Sequence, residues 1–199
     1  QPYHKESRSF NRSALVIGGG LAGMTSALAI ADEGYDVFLV EKTGELGGNL
    51  RQLYQTAEGP NPQRLLQAQI KRVHSHERIA LHYNTDVIGF QGHVGNFRTR
   101  LSYEGDGEPP RCWEIEHGVT VIATGAKEFK PDEYLYGEDP GVLTGLELDR
   151  KFIDNTLVLN EVNAAVFIQC VGSRIKERPY CSKVCCTHSV KSALKLKEL

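Results

Sequence analysis

An α/β fold built on a parallel sheet is predicted by three features of the first fifty residues. Ala14-Leu15-Val16-Ile17 is a short, β-branched apolar run of the kind buried in parallel sheets. A glycine cluster follows at once, Gly18-Gly19-Gly20-Leu21-Ala22-Gly23, in which Gly18, Gly20 and Gly23 fit G-x-G-x-x-G. A helical stretch rich in Ala and Leu, Met24 to Glu33, is stopped by Gly34, and a second apolar run, Val37-Phe38-Leu39-Val40, ends in Glu41. Strand, glycine turn, helix, strand and terminal acid together make a dinucleotide-binding βαβ unit, a context that the bare hexapeptide lacks.

Each part of this unit has a physical task. Gly18 permits the tight strand-to-helix turn, Gly20 lets the backbone approach a pyrophosphate, and Gly23 lets the helix lie close to the strand. The helix start offers N–H groups and partial positive charge to phosphates. Glu41 is placed to accept hydrogen bonds from ribose hydroxyls, and an acid there disfavours a 2′-phosphate. Leu21, Ala22 and Lys42, within and beside these motifs, complete the first set of candidate contacts. The alternative for the hexapeptide taken alone is a glycine turn with no ligand.

The composition is globular: 199 residues, 40% hydrophobic and 24% charged. A formal net charge of −2 without a basic block argues against nucleic acid as a partner. The apolar runs are too short to span a bilayer. Residues 1–12 are polar and lack the apolar segment of a signal peptide, so they read as a tail, with a cytoplasmic location as the expectation.

Further along, 51–60 reads as loop, and Asn61-Pro62 as an N-cap followed by Pro at the first helical position. Leu65, Leu66, Ile70 and Val73 then carry helical spacing to about His76. Ile79 to Tyr83 and Thr85 to Ile88 follow as strands. Phe97 to Tyr103 and Arg111 to Glu116, joined by the turn-rich 104–110, predict a small antiparallel excursion, with Cys112 and Trp113 as packing residues. Gly118 to Gly125 returns to the main sheet. Residues 129–148 are loop-rich, with a short extended piece at Val142 to Thr144, and a helix is predicted near Leu146 to Ile153. Ala164 to Gln169 reads as a buried strand opening a second dinucleotide-binding-like unit, although no G-x-G-x-x-G follows it. A last helix runs from about Ser182 to Leu199. The predicted organisation is a tail at 1–12, a Rossmann-like domain at 13–160, and the start of the second unit at 161–199.

Five cysteines are present, and four fall between residues 170 and 186 as Cys170-x10-Cys181-x3-Cys185-Cys186. Clustering of this kind suggests metal or redox chemistry rather than a disulfide scaffold. Cys181 and Cys185 share a face if that stretch is helical. Four converging thiolates would suit a [4Fe–4S] cluster, which takes four ligands. The order is neither the ferredoxin C-x-x-C-x-x-C run nor the C-x-x-C pairs of a zinc ribbon. Spacing alone leaves a metal site, a redox disulfide and unligated cysteines all open. His188 is a further candidate ligand, with a surface helix histidine as the plainer reading.

Glu41-Lys42-Thr43-Gly44-Glu45-Leu46-Gly47-Gly48 resembles the acid-then-Gly-Gly extension of two-dinucleotide-domain flavoproteins. That resemblance implies FAD, with Gly47 and Gly48 beside the pyrophosphate and ribityl chain, and Asn49 and Arg51 reaching phosphate or flavin. Ala123-Thr124-Gly125 resembles the second flavoprotein signature, where a strand end of small residues meets the flavin nucleotide. The backbone near Val87 is implied to contact adenine. A closer match then covers nearly the whole chain from Ser13. Gln169-Cys170-Val171-Gly172-Ser173-Arg174, Tyr180-Cys181-Ser182-Lys183-Val184-Cys185-Cys186, Glu133 through Pro140 and Val94-Gly95-Asn96-Phe97 resemble the heterodisulfide reductase A-subunit family.

This resemblance implies an FAD and iron–sulfur electron-transfer protein with a thioredoxin-reductase-like core. It implies that Cys170, Cys181, Cys185 and Cys186 ligate a [4Fe–4S] cluster of non-ferredoxin type near the flavin. It also implies partner subunits in an electron-transfer complex, including a chain that completes the FAD domain. Family members are longer, so a fragment or a split form is expected. Two alternatives stand beside this reading. One is a pyridine nucleotide–disulfide reductase using Cys181 with Cys185 or Cys186, although enzymes with C-x4-C spacing carry it soon after the first βαβ unit. The other is a non-catalytic nucleotide-binding or assembly subunit. No general acid–base pair stands out.

Overall fold

The structure, a computed structural model, describes residues 9–56, 58, 61–105, 109–159 and 162–199. Most of the expected tail, part of the 51–60 loop, the middle of the 104–110 connector and the expected boundary at 160–161 lie outside the described residues. The chain divides into two compact units, residues 1–49 with 66–125, and residues 50–65 with 126–199.

The first unit contains, in chain order, β1 (Ala14–Ile17), α1 (Leu21–Asp32), β2 (Val37–Val40), most of α2 (Pro62–Ser75), β3 (Ile79–His82), β4 (Thr85–His93), β5 (Asn96–Tyr103), β6 (Arg111–His117) and β7 (Val119–Ile122). Strands β3-β2-β1-β7 form a parallel sheet in that order. Strands β4-β5-β6 form a separate antiparallel sheet, the expected excursion, with a register shift between Val87 and Gly89. The α/β class with a parallel sheet and a small antiparallel sheet is as the sequence predicts.

Alternation along the strands positions the core. Leu15 and Val40 form a buried cluster with Leu101 and Ile115 of the antiparallel sheet, and Ile17, Phe38, Val87 and Trp113 pack against it. Ala14, Val16, Val37 and Leu39 therefore face the other way, toward α1, whose Met24, Ala27, Leu28 and Ala31 are buried. Helix α2 starts as expected, with Asn61 Oδ1 accepting the Gln63 N–H at 2.9 Å, and ends with Arg72 donating to Asp32 Oδ2 at 2.9 Å. Inside the antiparallel sheet His117 is fully buried. Its Nδ1–H donates to the Val119 carbonyl at 3.0 Å, so Nε2 accepts from the Thr99 hydroxyl at 2.8 Å. Burial pushes the His117 pKa down, which keeps this arrangement neutral.

The second unit holds most of a 3₁₀ turn (Gly48–Gln52), the first turn of α2, α3 (Gly145–Asp154) and α4 (Cys185–Glu198). Two expectations are corrected here. Ala164 to Gln169 is not a strand: the segment is irregular, with Val166 83% exposed. A strand needs a neighbouring strand for its N–H and C=O groups, and the described residues of this unit form only an isolated bridge, Ile175–Arg178. Val142 to Thr144 carries no regular secondary structure, and Thr144, extended at φ −73° and ψ 165°, serves as the N-cap of α3. The last helix begins at Cys185 rather than Ser182, since Lys183 adopts left-handed backbone (φ 61°) that cannot continue a right-handed helix.

The start of α3 is fixed by a capping box between Thr144 and Glu147. Glu147 also accepts from the Tyr136 hydroxyl at 2.7 Å and lies 3.2 Å from Lys130 Nζ. Partial burial alone would raise its pKa, but the Thr144 N–H, the Tyr136 hydroxyl and Lys130 outweigh it and hold it at about 2, against an ordinary 4.5. Because the folded value is depressed, the associated stability is present above about 4.5 and is lost as pH falls through about 2. The full linkage for that shift would be about 3 kcal/mol. With the side chain a third exposed, screening reduces the expected loss to the order of 1 kcal/mol. Urea melts of wild type and Glu147→Gln at pH 7 and pH 3 check this: the variant should be weaker at pH 7, and the gap should narrow at pH 3. A gap that does not change with pH contradicts it.

Candidate functional site

Because the strands of the main sheet are parallel and Ile17 pairs with both Val40 and Ile122, the chain leaves β1, β2 and β7 on one edge. Three motifs meet there: Gly18–Gly20, Glu41 and Ala123–Gly125. Ligands of open α/β sheets bind at such strand ends.

The glycines of the first motif do different things. Gly18 has φ 107° and donates its N–H to the Val40 carbonyl at 2.8 Å, and a Cβ on it would collide with the Ala123 carbonyl. A Cβ on Gly23 would collide with the Gly18 carbonyl oxygen. The chain itself demands these two. Gly20 is different: it is extended, and a Cβ there would meet no atom within 4 Å. The space in front of Gly20 is open. As the N-cap of α1, glycine offers no side-chain acceptor to the first turn, so the N–H groups around Leu21, Ala22 and Gly23 face an uncapped helix start suited to an anion.

The Gly47–Gly48 doublet forms a second backbone wall. Gly47 forms a parallel bridge with Gly20 and donates its N–H to the Gly19 carbonyl at 2.8 Å. Glu41 ties the loops together: Oε2 accepts from the Gly19 N–H at 2.6 Å, and Oε1 accepts from the Thr43 N–H and hydroxyl, both at 2.8 Å. A carboxylate has about four lone-pair sites, so these three bonds leave capacity for a hydroxyl donor. At the end of β7, Ala123 N–H donates to the Ile17 carbonyl at 2.8 Å, and Thr124 and Gly125 are exposed.

The other expected contacts are placed as follows. Lys42 forms an ion pair with Asp86 at 2.7 Å, whose hydrogen bond raises the Lys42 pKa and lowers that of Asp86. Val87 is half-buried in β4 opposite Leu101, with its N–H donated to Asp86 Oδ1 at 3.0 Å. Asn49 is exposed and Arg51 half-buried, both in the 3₁₀ turn, and Arg51 belongs to the second unit. The sequence motifs do not point to Gly19, Thr43 or Asp86. Only Thr43 carries a local signal, two residues after the acid, where side chain and backbone N–H bond in tight loops.

A flavin nucleotide fits the donor set in the first unit: two glycine walls, open space over Gly20, an uncapped helix start and an acid at the end of β2. The cysteines do not fit a four-thiolate cluster as they are arranged. Cys181, Cys185 and Cys186 are exposed and Cys170 is half-buried with left-handed backbone (φ 61°). Cys181 Sγ accepts from the Lys183 N–H at 3.3 Å, and Cys185 Sγ lies 2.9 Å from Ser182 Oγ. Among the described residues no three His, Cys, Asp or Glu side chains come together as a metal site. Cys181 precedes α4, so it does not share a helical face with Cys185. His188 lies against Asp149 of α3 instead.

Comparison with known proteins agrees with the first unit's geometry. The chain is 26% identical over 284 residues to the A-subunit of the H(2):CoB-CoM heterodisulfide,ferredoxin reductase of Methanothermobacter thermautotrophicus, covering all of this chain and 43% of that protein. It is 25% identical to an iron-sulfur A-subunit of the CoB--CoM heterodisulfide reductase of Methanopyrus kandleri, covering 94% of this chain and 41% of that one. The chain thus spans less than half the length of the curated relatives it matches, and the first alignment is longer than the chain, so that relative holds additional residues within the matched span. The crystal structure of L-proline dehydrogenase from P. horikoshii overlays 62% of this chain and 25% of its own with a TM-score of 0.48 and 23% identity. The family model of FAD dependent oxidoreductases matches residues 14–133, from the first residue of β1 to beyond β7. With well over half of its length matched, the chain belongs to the FAD dependent oxidoreductase family.

Proposed function

We propose that this chain forms the FAD-holding part of an oxidoreductase that exchanges electrons with iron–sulfur centres in a heterodisulfide-reductase-type complex. The observation that carries the FAD part is the open backbone cradle over Gly20, facing Gly47 and Glu41 at the strand ends. In this reading Gly18, Gly20 and the first turn of α1, with Leu21, Ala22 and Gly23, take the pyrophosphate by backbone N–H groups. Glu41 accepts a ribose hydroxyl, Lys42 lies beside it, and Val87 is the candidate neighbour of adenine. Gly47, Gly48, Asn49 and Arg51 border the phosphates and ribityl chain, and Ala123, Thr124 and Gly125 approach the flavin nucleotide. Bound FAD would supply both two-electron and one-electron chemistry. The chain's own residues bind, orient and exclude water.

The iron–sulfur part rests on the cysteine motif and on the names of the relatives, one of which is an iron–sulfur protein by name. Cys170, Cys181, Cys185 and Cys186 are the candidate ligands, and holding a [4Fe–4S] cluster would require their segments to rearrange from the arrangement described above. Partner subunits are proposed because the relatives are named as single subunits of a larger enzyme. A cytoplasmic location belongs to the same proposal. Among the described residues no helix is long and apolar enough to cross a membrane.

The test is an anaerobic preparation assayed for flavin, iron and acid-labile sulfide, followed by reduction with NADH, NADPH or reduced ferredoxin. The expected result is flavin with about four irons per chain, both reducible. Flavin without iron or sulfide removes the cluster from the reading. Two thiols then lost on oxidation would assign Cys181 with Cys185 or Cys186 as a dithiol. Flavin that no donor reduces would favour an assembly role.

A further inference from the structure

Lys42 stands where a dinucleotide site would take a 2′-phosphate. It directly follows Glu41, the acid at the end of β2. In sites of this architecture an acid at that strand end accepts the ribose 2′-hydroxyl, whereas a cation nearby accommodates the extra phosphate of a 2′-phosphorylated dinucleotide. This chain carries both groups side by side. The Glu41 carboxylate is held by the Gly19 and Thr43 N–H groups, and its charge repels a further phosphate. An available Lys42 ammonium would offset that repulsion.

The ammonium is already engaged. Lys42 Nζ donates to Asp86 Oδ2 at 2.7 Å, and Glu104 adds a weaker attraction. Asp86 is the second residue of β4, and its carboxylate is itself oriented, because Oδ1 accepts the Val87 N–H at 3.0 Å. The backbone on either side of Lys42 is fastened to the start of β4. The Thr85 N–H donates to the Glu41 carbonyl at 3.0 Å, and the Asn84 N–H donates to the Thr43 carbonyl at 3.1 Å. Thr85 is buried, and its hydroxyl donates to the Tyr83 carbonyl at 2.7 Å. Both charged side chains are more than half exposed. Exposed ion pairs are ordinarily worth little, partly because two long side chains must be ordered to form them. Here the acidic partner is short and already oriented, so the ordering falls on Lys42 alone.

We infer that Asp86 is a positioning residue that sets the nucleotide specificity of this site: by engaging Lys42 it denies a cation to a 2′-phosphate and leaves Glu41 to select a free 2′-hydroxyl. FAD carries that hydroxyl, and NADPH carries a phosphate in its place. The two share the rest of their ADP half, so a cradle that takes the pyrophosphate of one takes that of the other unless the ribose is read. Asp86 touches neither nucleotide in this account and acts through Lys42. The inference deepens the proposed function and rests on its reading of the Gly20 cradle and Glu41 as the seat of the ADP half of FAD.

The experiment titrates the full chain with ADP-ribose and with 2′-phospho-ADP-ribose, each in competition with FAD, at low ionic strength so that exposed charges are not screened. The wild type should prefer ADP-ribose. In Asp86→Asn, which keeps an acceptor for the Val87 N–H, that preference should shrink by roughly fivefold, the upper range for an exposed ion pair. Asp86→Ala should act in the same direction. In a Lys42→Met background the same Asp86→Asn change should move the preference by less than about twofold, because the coupling between the two residues is gone. An unchanged preference in both Asp86 variants overturns the inference, as does a wild type that takes both nucleotides equally well. An equal shift with and without Lys42 also overturns it, because Asp86 would then act only through its own charge. A folded wild type that binds neither FAD nor ADP-ribose overturns the FAD reading together with the inference, whereas an unchanged preference in a chain that binds FAD overturns the inference alone.

Discussion

Replacing Gly20 by valine should abolish FAD binding while leaving the fold of the first unit in place. Gly20 has φ −70° and ψ −177°, which any residue adopts, and a Cβ there meets nothing within 4 Å. The protein therefore accepts the side chain, and the cost is that of a poor N-cap, at most about 1 kcal/mol. The ligand does not accept it, because the added methyls fill the space through which a pyrophosphate reaches the backbone of the loop. We expect FAD affinity to fall by about 100-fold or more, equivalent to about 2.7 kcal/mol, measured by quenching of flavin fluorescence. Thermal unfolding should shift by only a few degrees. Undiminished affinity would mean that the nucleotide does not pass over Gly20.

Gly23→Ala should have the reverse profile, with stability lost first. In an open helix this substitution would gain about 1 kcal/mol. At this position the new methyl collides with the Gly18 carbonyl oxygen, a backbone atom that cannot swing aside as the end of a side chain can. Overpacking of this kind costs about 3 kcal/mol, so the collision outweighs the propensity gain and a net loss of about 2 kcal/mol is expected in urea unfolding. Relief requires α1 and the glycine turn to separate, so FAD affinity should fall together with stability. A variant more stable than the wild type would contradict the close approach of α1 to β1. The two substitutions thus separate the glycine that the ligand needs from a glycine that the chain needs.

The contrast between the two units explains how much was legible in the sequence. The βαβ unit was readable because its signals are local. The apolar runs at 14–17 and 37–40, the glycines between them and the acid at 41 each act within a few residues of one another. The same logic failed at Ala164 to Gln169. Its composition is that of a buried strand, but a strand exists only beside another, and no composition within the run reveals whether one is present. At Ser182 the sequence looks like a helix start, while the left-handed backbone of Lys183 delays α4 to Cys185. Asp149 and Lys191 are far apart in sequence, and neither carries a local pattern that foretells their pairing in the interior. Cysteine spacing likewise reports which thiols are neighbours along the chain, whereas convergence depends on the loop geometry between them.

The central claim is that the glycine cradle of the first unit binds FAD, and the most direct measurement is an equilibrium titration of the intact chain with FAD, followed by fluorescence and calorimetry, with Gly20→Val titrated alongside. The expected result is saturable binding of one FAD per chain that the valine variant lacks. A folded wild-type chain that does not bind FAD, or one that binds it no better than the variant does, would contradict the account.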